Sequence, residues 1–143
     1  MITLPRGIRN NNPGNIRKTR QIWHGEVEPG QDLSFIQFSS MVYGIRCMAV
    51  ILGQYIHLHD LITVREIINR WAPPVENDTT AYVDDVAEDM GISPDMPLPT
   101  GVQLFPAYLA ALIAAISIHE NGGSFLSDND VIVGLVLAGI VTS

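Results

Sequence analysis

The sequence predicts a mostly α (α+β) fold: a single domain over residues 1–143, largely helical, with a small β-element near the N-terminus. From residue 41 onward apolar residues recur at helical spacing, and signals that start or end helices separate the segments. Before residue 41 the chain is rich in Pro, Gly and Asn, which favour turns. The 143 residues, 47% of them hydrophobic, suffice for one core and are too few for two comfortable domains.

The β-element is predicted from Leu33–Phe38, where apolar and polar side chains alternate closely enough for a short strand. Residues 5–33 precede it with several Asn, Pro and Gly residues, of which Asn12-Pro13-Gly14-Asn15 indicates a tight turn. We therefore expect a small hairpin or irregular sheet near residue 35.

About five helices are predicted from periodicity and boundary signals. The first carries an apolar stripe from Met41 to Ile56, and the second begins at a capping box formed by Thr63 and Glu66. The other boundaries are predicted at a stop at Pro73-Pro74, a cap at Asn77 or Asp78, a terminator at Gly91, a first turn at Pro106, a C-cap at Asn121-Gly122-Gly123 and a cap at Ser127.

Glu120 stands at the end of the most apolar of these helices. A carboxyl group there lies beside apolar surface and near the negative end of the helix dipole, and both effects favour its protonated form. A carboxyl group that keeps its proton at neutral pH is what general acid catalysis requires. Spacing alone, however, fits an ordinary exposed acid better than a catalytic one.

Charge is divided unevenly along the chain. All eight Lys and Arg residues lie at or before Arg70 together with five acids, whereas ten acids and no Lys or Arg follow it. The net charge of −7 and the pI near 4.8 argue against a nucleic-acid-binding protein, which would present a basic face. The distribution fits either a solvated acidic surface that keeps the protein soluble or a basic N-terminal segment that faces an acidic site across a cleft.

Other protein classes are disfavoured by composition. The single cysteine, Cys47, excludes an intrachain disulfide framework and a cysteine-based zinc site, so no metal or cofactor is expected. The N-terminus lacks the layout of a signal peptide. The apolar runs near residues 107–118 and 131–142 fall short of the roughly 20 residues that cross a bilayer, so membrane insertion is not expected.

Several segments together resemble a family of small phage and prophage proteins whose members are labelled virion proteins or peptidoglycan hydrolases (muramidases or lytic transglycosylases). The resemblance covers nearly the whole chain and rests on residues 6–17, Trp23-His24-Gly25, residues 35–38 with 43–46, residues 71–82 and residues 118–122. It implies a protein of the phage virion or the infected host cell that acts on the cell wall.

A looser similarity is to the lysozyme superfamily, in which the catalytic acid ends a buried helix. Ser117-Ile-His-Glu120-Asn-Gly-Gly looks like that helix end. The segments that resemble the substrate-lining pieces of bacterial glucosaminidases, residues 12–17, 23–25 and 35–38, precede the acid here instead of following it. The resemblance thus implies a lysozyme-like domain with circularly permuted order, and it leaves Glu76 as a rival to Glu120.

The resemblance implies cleavage of peptidoglycan glycan strands with Glu120 as the acid and Glu76 as the second carboxylate. If Glu76 lies far from Glu120, a lytic transglycosylase with one acid is favoured instead. Glu120 and Asn12 are expected to line one cleft. The residues proposed to bind or support the substrate are Asn10, Asn12, Asn15, Arg17 (or Arg9), Trp23, Asn77 and Tyr82.

One competing class remains open from the sequence. A virion component without enzymatic activity could bind glycan or another virion protein, with Glu120 only ending its helix. Such a protein would not release fragments from peptidoglycan, whereas the enzyme would.

Overall fold

The computed structural model describes residues 3–140 and is mostly helical. The helices are α1 (Arg6–Arg9), α2 (Met41–His59), α3 (Val64–Trp71), α4 (Thr79–Met90), α5 (Phe105–Asn121) and α6 (Asp128–Leu137). The predicted α-rich class is therefore confirmed. Residues 1, 2 and 141–143, which include parts of the N-terminal segment and of the last apolar run discussed above, lie outside the described residues.

The boundary signals work as the sequence predicts. The Thr63 side chain accepts a hydrogen bond from the Glu66 backbone N–H, and the Glu66 side chain accepts one from the Thr63 N–H, which completes the capping box of α3. The Asp78 and Ser127 side chains cap α4 and α6. Each accepts one hydrogen bond from the backbone N–H three residues later, that of Ala81 and of Asp130 respectively. Short-range chemistry therefore sets where these helices begin.

Helices α2 and α5 carry the centre of the core, with α6 and α3 beside α2 and with α4 against α5. Helices α2 and α6 pack against each other most extensively, and a Cβ on Gly134 would lie 2.5 Å from Cγ2 of Ile45. Only glycine fits at that point. The contact brings the last helix against α2, while the C-terminal end of α5 lies beside the N-terminal segment, to which Asn121 is hydrogen-bonded at Pro13.

Helix α2 is long and apolar enough, by length and composition, to cross a membrane. The core helix of a soluble protein satisfies the same criteria, and the inner face of α2 is buried here among residues such as Ile45, Met48 and Leu52. The expectation of no membrane insertion was based on the apolar runs near residues 107–118 and 131–142, and α2 is not one of them. That expectation stays a prediction.

The predicted β-hairpin near residue 35 does not form as paired strands. Between residues 3 and 140 the structure has two isolated antiparallel bridges, Arg17 with Phe35 and Glu26 with Phe38. Backbone hydrogen bonds still join the segments, as from the Ile36 N–H to the Ile16 carbonyl at 3.0 Å. The Asn12 amide adds a side-chain link, because it donates to the carbonyls of both Ile16 and Ile36 at 2.9 Å each.

The segment before residue 41 also contains α1, which the sequence-based analysis assigned to loop. It is a single turn that begins after Pro5, with no side-chain cap. Its importance is positional, because it packs against α5 and brings Gly7 close to the end of that helix. The N-terminal segment is thereby joined to the part of α5 that carries Glu120.

Candidate active site

Glu120 lies in the last turn of α5, partly buried, with both carboxylate oxygens engaged. Oε1 accepts a hydrogen bond from Nδ2 of Asn15 at 2.9 Å, and Oε2 accepts one from the hydroxyl of Tyr82 at 2.7 Å. The helix ends directly after it because Gly122 adopts a left-handed conformation, φ 72°. The carboxylate is therefore fixed in orientation at the tip of a rigid, buried helix.

Tyr82 is held in the core of the α4–α5 contact, with 2% of its surface exposed. Burial raises the pKa of the Tyr82 phenol, and the neighbouring Glu120 carboxylate raises it further by charge and by hydrogen bonding. The phenol consequently keeps its proton at physiological pH. It acts as a permanent hydrogen-bond donor to Glu120.

His119 covers the other side of Tyr82. The two rings stack with centroids 3.7 Å apart and an interplanar angle of 29°. Nδ1 of His119 lies 3.0 Å from Oδ2 of Asp85 on α4. This chain of contacts across α4 and α5 restricts the rotation of the phenol that points at Glu120.

Asn15 reaches Glu120 because the turn before it is anchored at two places. Asn15 itself is in the left-handed region, φ 49°, a conformation that asparagine tolerates better than most residues. Within the turn, the Asn12 side chain also accepts from the Ile16 N–H at 2.9 Å. From the other side, Nδ2 of Asn121 on α5 donates to the carbonyl of Pro13 at 2.9 Å.

Glu120 opens onto a cleft of about 480 Å³. Trp71 and Tyr55 give it an aromatic wall, and Glu76 and Asn77 lie on the loop that follows α3. The lining also includes Arg17, whose guanidinium lies 4.9 Å from the centroid of the Phe35 ring. Aromatic faces together with amides, carboxylates and a guanidinium suit a polyhydroxylated ligand that carries acidic groups.

A second, smaller recess of about 240 Å³ lies on the other side of Glu120. It shares Glu120 and Asn77 with the main cleft and is otherwise lined by Asp78, Ala81, Tyr82 and His119. Glu120 thus borders two recesses. An extended ligand lying in both would pass the carboxylate.

Of the residues proposed from the sequence, Glu120, Glu76, Asn15, Arg17 and Asn77 line the main cleft. Asn77 also has a structural bond, because its Nδ2 donates to the carbonyl of Pro73 at 3.1 Å. Tyr82 lies behind Glu120, where it supports the carboxylate and borders the smaller recess.

Three proposed substrate-binding residues are not brought to the cleft. Asn12 is fully buried, with its amide bound to backbone groups, so the expectation that Asn12 and Glu120 line one cleft is wrong. Asn15, three residues later, occupies that place. Asn10, 6% exposed, uses its amide to bond Asp32 and Gln37.

Trp23 is the third residue that differs from expectation. It packs against the small cluster formed by Ile36, Phe38 and Cys47, away from the residues that line the cleft. Its backbone N–H is taken by the Glu26 carboxylate at 3.1 Å. Arg9, the alternative to Arg17, donates to the carbonyl of Leu4 and likewise does not line the cleft.

The sequence did not predict the aromatic wall formed by Tyr55 and Trp71. Tyr55 belongs to the apolar stripe of α2 and Trp71 ends α3, so both fit simple core positions. Arg70 lies over the Tyr55 ring, 4.9 Å from its centroid, and this contact is made only in the folded structure. Sequence offered one signal, the Pro73-Pro74 stop, which exposes the end of α3 at the cleft.

No cluster of three or more His, Cys, Asp or Glu side chains that could hold a metal ion is present within residues 3–140. The prediction that the protein needs no metal or cofactor is not tested by this finding. The side chains that do converge at the cleft are those of acid, amide and aromatic residues.

Fold and site together define a small helical protein with an open cleft and a carboxylate held at the tip of a buried helix. No protein-family model matches the chain. Over 122 residues it is 40% identical to Protein P5 of Pseudoalteromonas phage PM2, and the aligned region covers 83% of this chain and 72% of that protein. The chain therefore belongs to the same family as Protein P5, and the predicted association with phage is supported.

Proposed function

We propose that the protein is a peptidoglycan hydrolase, a muramidase or lytic transglycosylase, that cleaves the glycan strand by general acid catalysis with Glu120 as the acid. The observation that carries the proposal is the Glu120 carboxylate itself. It is held by Tyr82 and Asn15 on its two oxygens and borders a cleft large enough for part of a glycan strand. The similarity of the helix end to the lysozyme superfamily supports the same role.

In this proposal Glu120 protonates the departing glycosidic oxygen. Fixing the carboxyl group in advance lowers the cost of reaching the reactive geometry. Tyr82 and Asn15 then stabilise the carboxylate that remains after the proton has left, because both donate hydrogen bonds to it. The sugar rings stack on the aromatic wall formed by Tyr55 and Trp71.

Glu76 has the role of the second carboxylate. It is exposed on the loop after α3 and lines the same cleft as Glu120. In a hydrolase it activates the attacking water, or attacks the sugar directly, according to the separation of the two carboxyl groups. In a lytic transglycosylase the substrate closes an internal anhydro ring, and Glu76 is dispensable.

Arg17 is proposed to bind the acidic groups of the peptide stems. Its guanidinium is exposed at the cleft and stacks on Phe35 without a carboxylate partner among the described salt bridges. A guanidinium in that position binds carboxylates in a fork geometry. The basic N-terminal segment would thereby counter the acidic balance of the rest of the chain where the substrate enters.

Mass spectrometry of the fragments released from purified peptidoglycan tests the proposal. Wild type is expected to release muropeptides, Glu120→Gln to release none, and Glu88→Gln, an exposed acid on α4 away from the cleft, to match wild type. Anhydro ends would identify a transglycosylase and reducing ends a hydrolase. A Glu120→Gln variant as active as wild type would remove Glu120 as the acid, and Glu76→Gln then tests the rival.

A second candidate function is a virion structural protein without enzymatic activity, which binds glycan or another virion protein. The observation that favours it is an apolar outer face on α6, where Ile132, Val133, Val136 and Leu137 are exposed on adjacent turns. Exposed apolar patches of this kind commonly mark contacts with other proteins. Folded wild type that releases nothing from peptidoglycan would favour this function over the enzyme.

A further inference from the structure

The Asn15 amide has one satisfied end and one unsatisfied end. Its Nδ2 donates to Glu120, whereas its Oδ1 is buried and has no hydrogen-bond donor within residues 3–140. Asn121, the residue after the proposed acid, has the same defect at its own Oδ1. Buried acceptors without partners are costly, so two of them beside a candidate acid need an explanation.

The two unsatisfied oxygens converge on Gly7. A Cβ on Gly7 would lie 2.6 Å from Oδ1 of Asn121, 2.8 Å from Oδ1 of Asn15 and 2.8 Å from the carbonyl oxygen of Asn12. Three acceptor oxygens therefore lie around the Cα of Gly7. The Asn12 carbonyl accepts from the Asn15 backbone N–H at 3.0 Å, whereas the two amide oxygens have no donor within residues 3–140. In the state described, with Nδ2 of Asn15 turned to Glu120, the arrangement is electrostatically unfavourable.

A half-turn of the Asn15 amide relieves the conflict. The oxygen and nitrogen of a primary amide exchange places in such a turn. Nδ2 would then point to the acceptors at Gly7, and Oδ1 would point to Oε1 of Glu120. An ionised Glu120 cannot donate to Oδ1, but a protonated one can.

We propose that the Asn15 amide changes its orientation with the proton on Glu120. With Glu120 ionised, Nδ2 donates to Oε1, and the amide oxygens of Asn15 and Asn121 at Gly7 are unsatisfied. With Glu120 protonated, the acid O–H donates to Oδ1 of Asn15 and the turned Nδ2 donates to the acceptors around Gly7. Asn15 is thus a positioning residue that serves both states of the acid.

The other support of Glu120 fits both states. The Tyr82 hydroxyl donates to Oε2, which accepts whether the carboxyl group is charged or neutral. Asn121 is fixed in one orientation, because its Nδ2 donates to the carbonyls of Pro13 and Ser117 at 2.9 Å each. Its Oδ1 therefore stays turned toward Gly7, and Asn15 is the amide that can turn.

Other charged groups near the site belong to neighbouring elements. His119 precedes Glu120 on α5 and pairs with Asp85 of α4, while Glu76 and Arg17 line the same cleft as Glu120. Each of them could change the pH at which the amide turns. None donates to the oxygens at Gly7, so the direction of the turn follows the proton on Glu120.

Isotope-edited NMR of the full-length protein tests the inference. At high pH the Asn15 side-chain NH₂ should show nuclear Overhauser contacts to the Glu120 methylenes. As pH falls these should give way to contacts to the Gly7 Hα protons, with the same midpoint as the Glu120 carboxyl carbon signal. Glu120→Gln should show the Gly7 contacts at every pH, because the glutamine amide donates to Oδ1 of Asn15.

Glu76→Gln, which alters the other carboxylate in the cleft, is the matched control and should keep the pH-dependent exchange. An Asn15 NH₂ that contacts Glu120 at every pH overturns the inference. So does an exchange that persists in Glu120→Gln, since His119 or Asp85 would then be driving it. If Glu120→Gln does not fold, the two midpoints in wild type still decide.

The inference rests on the proposed function only in that the proton on Glu120 is the one donated in catalysis. The NMR readout needs no substrate, so it can succeed in a protein that releases nothing from peptidoglycan. Loss of muropeptide release together with an intact exchange would reject the proposed function alone. Muropeptide release without the exchange would reject this inference alone.

Discussion

Replacing Tyr82 by phenylalanine should destabilise the protein through one identifiable interaction. The phenol donates to Glu120 over 2.7 Å from a side chain that is 2% exposed, so the bond is short and shielded from water. A hydrogen bond to a charged group contributes about 1.5–3 kcal/mol, against about 0.5–1.5 kcal/mol for a neutral pair. Tyr82→Phe should therefore lower the free energy of unfolding by about 1.5–3 kcal/mol when Glu120 is ionised.

The partner can be isolated with a double-mutant cycle. In a Glu120→Gln background the Tyr82 hydroxyl donates to a neutral amide oxygen, so the cost of Tyr82→Phe should fall by about 1 kcal/mol or more. Urea denaturation at pH 7 measures the four free energies. The single variant should also melt roughly 4–10 °C lower than wild type.

Tyr108→Phe is the matched control, because Tyr108 lies on the same helix about 18 Å from Glu120 along its axis. It should change stability by less than about 0.5 kcal/mol. Equal losses for Tyr82→Phe in both backgrounds would show that the phenol is not coupled to the Glu120 charge. That result would contradict the view that Tyr82 holds the carboxylate.

Three further predictions concern groups elsewhere in the chain. The Arg6 guanidinium donates two hydrogen bonds of 2.7 Å to Asp32 and holds the pKa of that carboxyl group well below its usual range. Thermal melts between pH 7 and 3 should therefore show that wild type loses stability below about pH 4. The melting temperature of Asp32→Asn should depend less on pH over the same range. Burial raises the pKa of Cys47 from 9.0 to about 12, so stability should fall above pH 9 by about 1.4 kcal/mol per pH unit from this thiol. In denaturation series, the stability of Cys47→Ala should fall less than that of wild type between pH 9 and 10. Arg17→Gln should leave the melting temperature unchanged. Calorimetry should show that it weakens binding of stem-bearing glycan about tenfold, which corresponds to the loss of about 1.4 kcal/mol from one charged contact. Unchanged affinity would show that the peptide stems bind elsewhere.

Helix positions were predictable because their causes are local. The Thr63–Glu66 capping box, the Asp78 and Ser127 caps and the left-handed Gly122 involve residues three or four apart, and each lies where the sequence predicts. Glu120 at the tip of α5 followed from the same local signals. Its identification as a candidate acid needed the resemblance in addition.

The partners of Glu120 were only partly predictable, because they depend on long-range packing. Asn12 and Asn15 are three residues apart in one turn and are chemically identical, yet one is buried as a backbone clamp and the other faces the acid. Which of them does so depends on the left-handed conformation of Asn15 and on the tie from Asn121 to Pro13. Neither feature can be predicted from the sequence alone.

The same long-range contacts bear on the unusual order of the segments. In the glucosaminidases that the chain resembles, the acid precedes the substrate-lining pieces, whereas here Glu120 follows Asn15 by 105 residues. For the role proposed for Glu120, the order of the segments along the chain does not matter; what this role requires is that the carboxyl group at the helix end lies beside the Asn15 amide that holds it. Asn121 meets that requirement from the helix side, since it joins the residue after the acid to the carbonyl of Pro13. A circular permutation of a lysozyme-like domain would have to preserve this contact, so Asn121→Ala should separate the turn from the acid and abolish muropeptide release even where the helices stay folded.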